Sequence, residues 1–268
     1  MEPVNNICIT CGTQLSPNEQ IPEFCPICAD DRQYINPNGQ SWTNSETLFA
    51  DHTIKITKLN EQLYTLKVTP DFAITQRAFL ILSEHGNVLW DCIPMLTDET
   101  VEFINAVGGL KAIVFSHPHY YSNMNEWAEK FNCPIYVHIG DEPWVYYNDG
   151  SVHFWDGDQL ELWDGISIIH IGGHFPGSCI MRIPTETEGT VFTGDTFIIT
   201  PAKKHIAIMY SYPNRILLHR DEFAKAYQKA KDIKFDTMHS AFEHEDLILN
   251  AKEIFDASMK RYIDSYGL

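Results

Sequence analysis

Directly after the apolar run Ala112-Ile113-Val114-Phe115 the chain reads Ser116-His117-Pro118-His119-Tyr120-Tyr121-Ser122. A short apolar run bounded by polar residues reads as a buried strand. Two imidazoles therefore sit where a core strand passes into a loop. Side chains alternate along a strand with period two, so a His-x-His pair can turn both rings to one side. The fold must then place the end of a buried strand beside a polar site. Neutral imidazole is the commonest protein ligand for metal and suits zinc or iron, so a metal centre is the expectation at His117 and His119.

The length of 268 residues fits one large domain, or a domain with a small appendage. No stretch approaches the roughly 18 consecutive apolar residues of a membrane helix. The start, Met1-Glu2-Pro3-Val4-Asn5-Asn6, lacks the basic and apolar parts of a signal peptide. A cytoplasmic protein is expected. The formal charge of -17 opposes both a nucleic-acid backbone and an anionic membrane surface. The basic doublet Lys203-Lys204 falls in a segment read as a solvated loop. The expected partner is a small-molecule substrate, with no nucleic acid and no membrane; the sequence leaves a homo-oligomer open.

Four of the seven cysteines fall in the first 28 residues, as Cys8-Ile9-Thr10-Cys11-Gly12, twelve further residues, then Cys25-Pro26-Ile27-Cys28. Two C-x-x-C pairs at this spacing can each clamp one side of a metal from a tight turn. Four thiolates close a tetrahedral structural site. A segment so poor in apolar residues would need the ion to fold. Zinc is the expected ion, in a zinc-ribbon or rubredoxin-like knuckle; iron there would suggest electron transfer. The knuckle and its polar linker are read as residues 1–45 and the main domain as 46–268. Cys92, Cys133 and Cys179 are read as buried free thiols.

The rest of the chain alternates strand-like and helix-like segments. Hairpins are expected at 54–59 with 63–69, at 78–83 with 87–92, and at 159–162 with 166–171. Helices are expected from Thr97 or Asp98 to Val107, and over 123–131, 215–232 and 245–262. Strands are expected at 134–138, 179–183, 190–193 and 235–239. Hairpins first and strand–helix alternation later imply an α+β body with helices outside sheets. The aromatic residues Tyr136, Trp144, Tyr146, Tyr147, Phe154 and Trp155 are read as packing rather than as a pocket wall.

Four more metal-binding residue types sit at expected strand ends: Asp91, His174 in Gly173-His174-Phe175-Pro176-Gly177-Ser178, Asp195 in Thr193-Gly194-Asp195-Thr196, and His239. In this order, with the His-x-His loop, they resemble the metallo-β-lactamase superfamily from about residue 51 onward. The resemblance implies an αββα sandwich with the site along one edge of the paired sheets. It implies a metal on His117, His119 and His174, an aspartate at Asp195 that links two metals, and Asp91 orienting the site loop. The family pattern His-x-His-x-Asp-His is broken here: Tyr121 and Ser122 stand where the aspartate and histidine of the second metal would be.

Three readings follow. In the first, one zinc or iron ion on His117, His119 and His174, with Asp195 or water as fourth ligand, activates water as hydroxide to cleave an ester, thioester or related bond. Asp195, His239 and Tyr121 are then the catalytic candidates, the last two for proton transfer or oxyanion stabilisation, with His244 as a substitute for His239. In the second, the site is degenerate and the domain is a binding module. In the third, iron makes it a redox protein with a rubredoxin-like knuckle.

Overall fold

The computed structural model describes residues 4–268. Two sheets stack face to face. The first orders Thr53–Asn60, Leu63–Thr69, Arg77–Ile81, Val88–Trp90, Ala112–Val114, Ile135–His138 and Val152–Trp155. Its first four strands pair antiparallel, and pairing is parallel from Val88–Trp90 onward. The second orders Gln159–Glu161, Ser167–His170, Cys179–Ile183, Thr190–Phe192, Thr237–His239 and Asp246–Leu247, with Thr190–Phe192 and Thr237–His239 parallel.

Parallel neighbours need crossovers, and helices supply three of them. Asp98–Ala106 and Met124–Phe131 link strands of the first sheet, and Arg220–Ala230 links Phe192 to Thr237. Side-chain alternation splits each strand between two cores. Leu80, Leu89 and Ile113 join Ile104, Met124 and Trp127 beneath the helices of the first sheet. Phe79, Ile81, Val88, Trp90 and Val114 meet Ile168, Met181 and Phe192 between the sheets. Ile180, Val191 and Met238 face Phe223, Ala226, Phe255 and Met259 on the far side. Strands covered on both faces read as unbroken apolar runs, as Ala112–Phe115 does. The result is the αββα sandwich.

Two expected helices begin later than their periodicity suggests. The segment before Arg220 is used for a short strand, Ile216–Leu217, paired with Met209–Ser211, and the His219 ring caps the helix by accepting from Asp221 N–H. The last helix spans Ala251–Tyr266, because Asp246–Leu247 adds an edge strand to Met238–His239. Asp246 is drawn there by Arg77 at 2.6 Å and His239 at 2.5 Å. Tertiary pairing overrides helix propensity at both places. Four of the six expected aromatics pack: Phe154 lies against the first core, Tyr136 and Trp155 against the core between the sheets, and Trp144 against the cysteines, while Tyr146 is exposed. No helix of the described residues is long and apolar enough to cross a membrane.

The N-terminal segment is laid on this sandwich. Ile7–Cys8 pairs with Trp42–Thr43, and Gln14 donates its backbone N–H to Ser122 O at 3.0 Å. Across the sheets, the turn after His174 is tied by Asp141, whose buried carboxyl accepts from Gly177 N–H at 2.6 Å. Burial pushes the Asp141 carboxyl up to about 8 against that hydrogen bond.

The Phe79 and Phe192 rings meet edge to face 4.9 Å apart in the middle of the sandwich. Phe192→Ala should cost about 3–5 kcal/mol of stability in a denaturant titration; a loss under about 1 kcal/mol would mean that the sheets do not depend on this contact. Asp141 binds its proton more tightly folded than unfolded. Its contribution to stability is therefore full below pH ~4 and is lost as pH rises through about 8. Asp141→Asn should flatten the fall in unfolding temperature over that window, and an unchanged slope would refute the assignment.

Candidate metal centre

The loops that carry the site leave the same edge of the two sheets. Asp91 follows Trp90, His117 and His119 follow Val114 by way of Ser116, and Asp195 follows Phe192. His174 lies in the turn between Ser167–His170 and Cys179–Ile183. Pro118 to Tyr120 form a single 3-10 turn, which folds His119 back beside His117. The ring centroids of His117, His119 and His174 lie 4.8–5.1 Å apart. One donor atom from each ring and one from Asp195 lie within 4.8 Å of one another.

The facing atoms are His117 Nε2, His119 Nδ1, His174 Nε2 and Asp195 Oδ2. The three nitrogens stand 3.5, 3.8 and 3.8 Å from Oδ2, and His119 Nδ1 is 3.5 Å from His174 Nε2. These separations are long for hydrogen bonds. They are at most about 0.5 Å longer than the edges, about 3.3–3.4 Å, of a tetrahedron with bonds of 2.0–2.1 Å to a central ion. His117 Nε2 is buried and has no hydrogen-bond partner among the described residues. The donor set fits a single zinc or iron ion.

Hydrogen bonds behind the rings set which nitrogen faces inward. Asp91 accepts from Ser116 N–H at 2.8 Å and from Ser116 Oγ–H at 2.9 Å. His117 Nδ1 lies 2.8 Å from Ser116 Oγ, and the unpartnered Nε2 assigns the ring hydrogen to Nδ1. The lone pair of His117 is left on Nε2. His174 Nδ1–H donates to Tyr210 O at 2.9 Å, leaving its lone pair on Nε2 too. Ser178 Oγ accepts from Phe175 N–H at 2.8 Å and closes the His174 turn. Gly194 lets the Asp195 loop approach Ser116: it has φ +50, and a Cβ there would lie 2.3 Å from Ser116 Oγ.

Burial sets the charge state. It pushes His117 down to about 4 and His174 well below the usual histidine range, so both rings are neutral near pH 7. Burial acts upward on Asp195, but the contacts with His117 and His119 outweigh it and hold the carboxyl well below the usual range. Asp91 is pushed up to about 8 by burial, against its bonds from Ser116.

Tyr120, not Tyr121, reaches the cluster. Its hydroxyl donates to Asp195 Oδ1, the oxygen not facing the imidazoles. Tyr121 lies in the core under the first sheet, edge to face with Phe115 at 5.0 Å, and its buried hydroxyl has no partner. Ser122 Oγ is held by Gln76 Nε2 at 3.1 Å. His239 stands apart from the four donors: Nδ1 bonds Asp246 at 2.5 Å, and the ring stacks on Phe192 at 5.4 Å. His244 is exposed in a left-handed turn.

Three participants carried no signal in the sequence. Tyr120 is hidden in a doublet in which alternation favours neither member. Glu245 holds a buried, unpartnered Oε2, and burial, then the charge of Asp195, pushes its carboxyl up to about 7. Arg32, from the N-terminal segment, donates Nε–H to His174 O at 2.5 Å.

The second candidate centre is the knuckle. Cys8, Cys11, Cys25 and Cys28 are buried with all sulfurs within 4.8 Å of one another. The pairs Cys8–Cys28 and Cys11–Cys25 stand 3.7 and 3.6 Å apart. A tetrahedral ion with 2.3 Å bonds to sulfur has edges of about 3.8 Å. S–H donation from Cys11, then Cys25 and Cys28, draws the Cys8 thiol far down, and burial drives Cys11 up. Cys92, Cys133 and Cys179 are buried and free.

The family model described as the metallo-beta-lactamase superfamily matches residues 74–227. The chain is 40% identical over 261 residues to the uncharacterized protein YmaE of Bacillus subtilis (strain 168), covering 96% of this chain and 95% of that one. Among solved structures, the DIM-1 metallo-beta-lactamase superposes with a TM-score of 0.57 at 14% identity, over 80% of this chain and 96% of its own. A metallo-beta-lactamase from Pontibacter korlensis gives 0.56 at 12% identity, over 78% and 99%. At such identities these two likenesses are of fold. The family match spans more than half of the sequence and includes the His-x-His loop, His174 and Asp195. The chain belongs to the metallo-beta-lactamase superfamily.

Proposed function

We propose that this protein is a mononuclear metal-dependent hydrolase that cleaves an ester, thioester or related bond of a small molecule. Superfamily membership and the His/Asp cluster support metal-dependent hydrolysis in general. The observation that carries the single-ion reading is the contact between Tyr120 and Asp195. One carboxylate oxygen faces the three imidazoles, and the other is occupied by the phenol. With Tyr121 in the core and Ser122 bonded to Gln76, the positions that would serve a second ion are spent elsewhere.

In this reading His117 Nε2, His119 Nδ1, His174 Nε2 and Asp195 Oδ2 hold the ion, zinc or iron. Bound there, it supplies a Lewis acid that polarises a carbonyl and acidifies water. The protein's own groups do the rest. The Asp91–Ser116–His117 chain fixes one ring, and Tyr210 O fixes another. Burial keeps His117 and His174 neutral and so available as ligands. His239 lies outside the four donors, and Asp246 holds its Nδ1–H, which leaves Nε2 as its basic nitrogen. The histidine side chains are 0–3% exposed and that of Asp195 is 9%. This supports entry of only the reacting end of a small substrate, past Asp195. The knuckle carries a structural zinc, and the free buried thiols of Cys92, Cys133 and Cys179 accord with a cytoplasmic setting.

Elemental analysis of the pure protein should find two metal equivalents per chain. Cys25→Ser with Cys28→Ser should remove one, and His119→Ala the other, together with hydrolysis of a panel of aryl esters and thioesters. A fully loaded wild type that turns over none of the panel would favour a binding module instead. Ser116→Ala breaks the chain behind His117. It should weaken the histidine site about 10–100-fold in a chelator competition, and unchanged affinity would refute that orienting role.

A further inference from the structure

We propose that Arg32 is a positioning residue for the histidine centre, a strap from the four-cysteine knuckle to the backbone that aims His174. The inference rests on the reading that the histidine site holds an ion. Arg32 Nε–H donates to His174 O at 2.5 Å. Its guanidinium lies 4.4 Å from the Phe175 ring, the residue after His174, and 4.4 Å from the Tyr210 ring. Tyr210 is the residue whose carbonyl fixes His174 Nδ1–H. Ser211 Oγ–H in turn donates to Arg32 O at 3.1 Å. One side chain thus touches both backbone segments that set the orientation of the His174 ring.

The other end of the strap is the knuckle. Cys25 O accepts from Ala29 N–H, and Ile27 O from Asp30 N–H. Asp30 takes Arg32 N–H on Oδ1 at 2.9 Å, meets the guanidinium at 3.0 Å, and is itself held on Oδ2 by Trp144 Nε1–H at 3.0 Å. Asn214 Nδ2 donates to Asp31 O and Gln33 O on either side of Arg32. The Arg32 side chain is 12% exposed, and a charge so covered is tolerable only with its partners in place. The planar fork that stacks on two rings while donating to a carbonyl is specific to arginine; a lysine ammonium cannot reproduce it. Order at the four cysteines is therefore transmitted to His174 through named bonds, and disorder there releases the strap.

The test uses the full chain loaded with zinc. Chelator competition reads the affinity of the histidine site, elemental analysis confirms that the cysteine ion stays bound, and cobalt substitution reads the ligand geometry by its d–d absorption. Arg32→Gln and Arg32→Lys should each weaken the histidine site about 10-fold or more and shift the cobalt band, with the cysteine ion retained. Trp144→Phe keeps the packing and removes one bond to Asp30; it should weaken the site less, by about 3-fold on the same scale. Wild-type affinity and an unshifted band in Arg32→Gln would overturn the proposal. If that variant fails to fold, unchanged affinity in Trp144→Phe overturns it instead. A wild type that takes no ion on its histidines would refute the functional reading and the strap with it. A wild type that binds, matched by both variants, would refute the strap alone.

Discussion

A carboxylate enclosed by three imidazoles is the interaction on which the rest of this molecule depends. Asp195 is buried and ionised, and of the three rings that it faces burial keeps His117 and His174 uncharged. A negative charge taken out of water needs positive charge or strong donors. Tyr120 supplies one donor to Oδ1, and among the described residues no lysine or arginine reaches Oδ2. The sheets, turns and supporting hydrogen bonds around the site all serve to hold this arrangement open for an ion.

The supports are graded by distance from the centre. Closest are Ser116 and Tyr210, which choose the tautomers of His117 and His174. Behind them stand Asp91 and Asp141, two buried carboxyls that accept backbone N–H groups and fasten the loops to the sheet ends. Each would be costly alone in an apolar core. Their hydrogen bonds make them tolerable, and their geometry makes the loops rigid.

Much of this was legible in the sequence, for a physical reason. Strands covered on both faces must be apolar throughout, so Ala112–Phe115 and Val191–Phe192 announce themselves, and polar residues directly after them are conspicuous. The four donors and the four cysteines could be picked out by position alone. What could not be read depends on contacts distant in sequence. Tyr120 and Tyr121 are adjacent and chemically alike; only the 3-10 turn after His117 decides which phenol meets Asp195 and which enters the core. Arg32 looked like part of a polar linker, because the site residues it touches, His174, Phe175 and Tyr210, lie more than a hundred residues away. Residues 216–217 and 246–247 carry helical periodicity, yet each is claimed by a neighbouring strand.

The contact at Gly194 limits how this centre can be altered. The seam between the Asp195 loop and Ser116 has no room for even a methyl group. Remodelling for a new substrate therefore cannot proceed by widening that seam, since the first added carbon would strike the hydroxyl that steadies His117. Variation has to come from the opposite wall, where the N-terminal segment lies over Phe175 and Tyr210. The small appended knuckle, rather than the sandwich, would then be the part of the molecule free to tailor the reaction.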